Sequence, residues 1–69
     1  MKDDNYIRGE IFAAMHQTGI TKQNTLARKA GIPTSTLSVH LSNPGRFTID
    51  ELRRIGRVVG LTIRLERGL

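Results

Sequence analysis

The chain has 69 residues, no cysteine, one tyrosine, two phenylalanines and a formal net charge of +5. That length suits one domain with a small core. The missing cysteine excludes disulfides and Cys-based metal sites, and no apolar run reaches membrane-spanning length.

A single domain over residues 1–69 is therefore expected, with self-association as the remaining support for so small a core. Met1-Lys2-Asp3-Asp4-Asn5 lacks the charged-then-apolar order of a signal peptide, and we take the protein as cytoplasmic, with no membrane partner. The charge is uneven. Residues 1–20 set Lys2 and Arg8 against Asp3, Asp4 and Glu10. Residues 21–57 set Lys22, Arg28, Lys29, Arg46, Arg53, Arg54 and Arg57 against Asp50 and Glu51, and the tail adds Arg64 and Arg67 against Glu66. A positive middle section is what a polyanion-binding surface requires, although a solvated basic face has the same composition.

In chain order, Ile7, Ile11, Ala14 and Met15 recur at i, i+4, i+7 and i+8, with Phe12 adjoining, which predicts a helix over about 5–17 capped by Asp3, Asp4 or Asn5. Thr18-Gly19 ends it. Thr21 is the expected N-cap of a second helix, in which Leu26 and Ala30 form an apolar face beside the small Ala27. Gly31 follows the last periodic residue, where a left-handed turn favours glycine. Ile32 then offers an apolar plug, Pro33 pre-sets φ, and Leu37 and Leu41 repeat at i, i+4 in a short third helix over about 34–41. The outward face of this third helix carries Thr34, Ser35, Ser38, Val39 and Ser42. These side chains are small enough to permit close approach. A helix pair with a tight glycine turn, the second helix bearing such a face, is the architecture that enters a DNA major groove.

Asn43-Pro44-Gly45 reads as a turn followed by Arg46, with Phe47 as a core plug. Thr48-Ile49-Asp50-Glu51 fits a capping box opening a fourth helix, with Leu52, Ile55 and Val59 buried, Val58 alongside and Gly60 at its end. Arg53, Arg54 and Arg57 lie on its polar side, as a solvated face or as further DNA contacts. From Leu61 the period changes to two. Leu61, Ile63 and Leu65 alternate with Thr62, Arg64 and Glu66, which predicts a short strand over about 61–66. A lone strand leaves ladder groups unpaired, so its expected partner is the same strand of a second copy, with packing on its own core as the alternative.

The stretch Gln23, Leu26-Ala27, Gly31-Ile32, Leu37-Ser38, followed by the loop Pro44-Gly45-Arg46-Phe47, resembles the lambda-repressor-like, Cro-type helix-turn-helix family over about 21–60. The resemblance implies a mainly α, four-helix DNA-binding domain with its motif at about 22–42. It also implies base contacts from Thr34, Ser35, Ser38 and Val39, and backbone contacts from Gln23 and from the loop after the third helix. With Lys22, Arg28, Lys29, Ser42, Asn43 and Arg46 beside them, these are the expected DNA-facing residues. His40 departs from the family pattern, which usually has an apolar residue there. The tail resembles the C-terminal strands through which Cro-like proteins and some antitoxins dimerise, implying a homodimer through Leu61, Ile63 and Leu65.

The expected function is a transcriptional regulator, a repressor, that binds a palindromic operator in double-stranded DNA. The alternative is an antitoxin-like protein that also grips a toxin partner. No Arg, Asn or Gln stands on the outward face for bidentate readout, so hydroxyl and methyl contacts, with DNA shape, carry the specificity. RNA is disfavoured because no aromatic stacking platform is evident. No cofactor or metal is expected, since His16 and His40 are the only histidines, and Ser38 and His40 point to different faces of one helix, so no enzyme is expected either.

Overall fold

The computed structural model describes residues 4–64 as four helices: α1 (Asp4–Gln17), α2 (Gln23–Ala30), α3 (Thr34–Ser42) and α4 (Ile49–Val59), with a 3-10 turn at Pro44–Arg46. The four-helix architecture expected from the periodicity is the one found. Helix α2 is central, packed against both α3 and α4, while α1 lies across α4 and the 3-10 turn. Leu26 and Ala27 of α2 have no exposed surface, and Leu37, Ile55 and Ile11 bring the other three helices to them. Ala27, with only a methyl to bury, suits a close crossing at this point. Among the described residues no polar side chain is buried, so apolar area removed from water is the main cohesive term.

Helices α1, α2 and α4 end by one device. At Gly31 the chain takes φ +71°, and the Ile32 amide donates to the Ala27 carbonyl at 2.9 Å while the Gly31 amide donates to Arg28 at 3.3 Å. This is a Schellman cap. It turns Ile32 back into the core, where it is 6% exposed. Gly19 with Ile20 and Gly60 with Leu61 show the same pairing of a left-handed glycine and a returning apolar residue. Helix α4 opens with the expected capping box. The Glu51 amide donates to Thr48 Oγ1 at 3.0 Å and the Thr48 amide to Glu51 Oε1 at 2.9 Å.

Three expectations need correction. Helix α2 is capped by Lys22, in extended conformation and without a side-chain hydrogen bond, so Thr21 stands one residue outside the cap. The Ile20 amide is committed to Met15 as the cap of α1, and the chain needs both Thr21 and Lys22 to turn. Phe12, expected beside the core stripe, is 40% exposed at its edge. The strand expected over 61–66 is not seen in 61–64, which carry no regular structure, and residues 65 and 66 lie outside the described residues. The reason is local: the Gly60 turn makes Leu61 part of the α4 cap, its amide donating to Gly56 at 3.0 Å, and its side chain packs on the core. Gly56 permits this return, because a Cβ there would collide with the Leu61 carbonyl.

Candidate nucleic-acid interface

Helix α3 is held by Leu37 and Leu41, 0% and 3% exposed, which turns the opposite face of the helix outward. Thr34, Ser35, Ser38 and Val39 are all exposed. Val39 is 47% exposed, an apolar side chain left in water on the outward face of the helix. The result is one small-residue face of hydroxyls and methyls. Such a face can accept from or donate to base edges and touch a thymine methyl.

The chain on either side of α3 supplies positive charge and backbone donors. At the start of α2, the amides of Gln23, Asn24 and Thr25 have no partner within the helix, and Lys22 and Gln23 are exposed beside them. Such an end favours phosphate. Beyond α3, Ser42 and Asn43 are exposed, and Arg46 projects from the 3-10 turn whose amides close on Asn43 and Pro44 at 2.9 and 3.1 Å. Arg28 and Lys29, expected in the same set, are placed differently. They lie at the opposite end of α2, around Gly31, with Arg53, Arg54 and Arg57 of α4. Of the expected dimer residues, Leu61 and Ile63 are half-buried and Leu65 lies outside the described residues.

Two anchors of α3 were not legible in the sequence. The Arg8 guanidinium in α1 donates from Nε to the Leu41 carbonyl at 2.7 Å and from Nη2 to the Ser42 carbonyl at 3.0 Å, while Nη1 donates to Asn5 Oδ1 at 3.0 Å. It satisfies carbonyls that the last turn of α3 cannot, and places a cation at the negative end of the helix. The second anchor is His40, whose Nδ1 lies 3.0 Å from Glu51 Oε1 and whose ring meets Phe47 edge-on at 5.4 Å. A carboxylate only accepts, so the ring carries its proton on Nδ1. Partial desolvation pushes the Glu51 pKa up, but the Thr48 amide, His40 and the Thr48 hydroxyl together more than offset it, and the net shift is down from the usual 4.5. His40 thus stands where an apolar residue was anticipated because an acidic partner from α4 meets it. The capping-box glutamate was the only available hint.

Comparison with known proteins agrees with this geometry. The family model described as the Cro/C1-type HTH DNA-binding domain matches residues 11–64. Neither a curated protein nor a solved structure gives a significant match.

Proposed function

Because the chain belongs to the Cro/C1-type helix-turn-helix DNA-binding family, we propose that it is a transcriptional repressor that binds a palindromic operator as a homodimer, with α3 in the major groove. The observation that carries this reading is the outward face of α3, where every side chain is small and exposed, including Val39. Thr34, Ser35, Ser38 and Val39 contact bases. Lys22, Gln23, Ser42, Asn43 and Arg46 hold the phosphates on either side and set the register. Arg28 and Lys29 add backbone affinity from the other end of α2. The dimer forms where Leu61 and Ile63 stand half-buried along α1 and α4, beside Tyr6 and Leu52. No helix among the described residues is long and apolar enough to cross a membrane, in keeping with a cytoplasmic protein.

The test is selection of bound duplexes from a random pool at near-physiological salt, followed by sequencing. The expected result is an enriched inverted repeat with half-site centres about 34 Å apart, one helical turn. Binding without enrichment would remove the operator reading and leave a non-specific DNA-binding protein.

A further inference from the structure

The end of α2 and the middle of α4 form a shallow depression around Gly31. Arg28 and Lys29 enter it from α2 and Arg53, Arg54 and Arg57 from α4, against a single carboxylate, Asp50. Among the described residues, Arg54 is the one of the five that makes an ion pair and a hydrogen bond. Its Nε pairs with Asp50 Oδ2 at 2.9 Å and its Nη1 donates to the Gly31 carbonyl at 3.2 Å, capping α2. Arg28, Lys29, Arg53 and Arg57 are exposed and make no ion pair among the described residues. Arg28 and Lys29 share the last turn of α2 with the Arg54 cap, where cations favour the helix dipole. The four cations other than Arg54 repel one another, and Arg53 with Arg57 at i, i+4 is a like-charge arrangement that destabilises a helix. A surface that concentrates uncompensated charge at a cost in stability is built for an anion.

The position names the anion. Gly31 precedes Thr34 by three residues, so the depression lies within about 10 Å of chain from the start of the groove-reading helix. The DNA major groove is about 12 Å wide and bordered on both sides by phosphates. We propose that this α2–α4 patch is a second phosphate-binding surface, which takes the backbone strand bordering the groove on the side of the α2–α3 turn, on the same duplex that α3 reads. The inference rests on the DNA-binding reading given above and extends the footprint from the α3 flanks to α4. Its contribution is independent of sequence. It raises affinity for every duplex and steepens the dependence on salt.

The test compares the full chain with the double variant Arg53→Gln/Arg57→Gln on the selected duplex and on a random one. Apparent affinity is measured from about 50 to 200 mM salt, the range over which counterion release dominates. Neither arginine has a hydrogen-bond or ion-pair partner among the described residues, so the thermal midpoint is expected to stay where it is or rise. The slope of log affinity against log salt is expected to become shallower by about two units, near 0.9 for each phosphate lost, and equally for both duplexes. An unchanged slope in a variant that still binds would overturn the proposal while leaving the α3 reading intact. So would a change that accompanies loss of a second duplex per protomer, since the patch would then serve another molecule. If the unaltered chain binds no duplex at all, the DNA-binding reading falls and this extension with it.

Discussion

Arg8 shows how one side chain far from a reading face sets where that face stands. It lies 33 residues from Leu41 in the chain, yet its two donors to the Leu41 and Ser42 carbonyls are among the few side-chain hydrogen bonds that tie one helix to another. The last carbonyls of any helix lack intrahelical partners, and here a charged donor from α1 supplies them. Arg8→Met keeps the aliphatic stem and removes both donors. The expected loss is about 1.5–3 kcal/mol of stability, the scale of hydrogen bonds from a charged group, read as a lower midpoint in urea unfolding. Affinity for the selected operator should fall further than affinity for random DNA, because a freed α3 end displaces Ser38 and Val39, the proposed base contacts. Equal losses on both duplexes would show that Arg8 serves stability alone.

At the scale of elements, α3 and α4 share one carboxylate. Glu51 Oε1 accepts from the Thr48 amide, closing the capping box, and from His40 Nδ1, joining the end of α3 to the start of α4. The box itself was readable in Thr48-Ile49-Asp50-Glu51, as were the helices, the glycine turn and the outward set on α3, because each depends on residues a few positions apart. Arg8, the His40–Glu51 pair and the gathering of Arg28 and Lys29 with the α4 arginines were not readable, since each needs the angle between two helices. The strand is absent from 61–64 for a different reason. Alternation over 61–66 is a true pattern, but the left-handed turn at Gly60 commits Leu61 to the α4 cap before any ladder begins. The lowered pKa of Glu51 has a defined consequence. A carboxylate whose folded pKa lies below its unfolded value stabilises the fold above the unfolded value, near 4.5, and loses that contribution as pH falls through the folded one. Glu51→Gln keeps an acceptor but does not titrate. The stability that Glu51 adds over glutamine is therefore expected to shrink as pH falls below about 4.5. A difference that stays constant between pH 3 and pH 6 would show that the ionised carboxylate adds nothing to the link.

At the scale of the whole molecule, a chain of 69 residues buries a small apolar core, and domains of this size keep only a narrow margin over conformational entropy. Association with a second copy would widen that margin by mass action and pair two α3 helices for a two-fold operator. The side of α1 and α4 has the surface for it. Tyr6 is 45% exposed, and Ile7, Leu52, Leu61 and Ile63 are half-buried around it, so apolar area remains that the described residues do not cover. Ile63 carries the test, because Leu61 is already needed to close α4. Ile63→Asp places a charge on that surface without touching the α3 face. The variant is expected to run as a monomer in light scattering, to lose the concentration dependence of its thermal midpoint and to bind one half-site about as well as the inverted repeat. Circular dichroism separates this from unfolding, since the four helices close on Leu26, Leu37 and Ile55 and do not need Ile63. A variant that keeps its helices and still scatters as a dimer would move the two-fold contact away from the α1–α4 side, and the spacing of the selected half-sites would then have to be explained from another face.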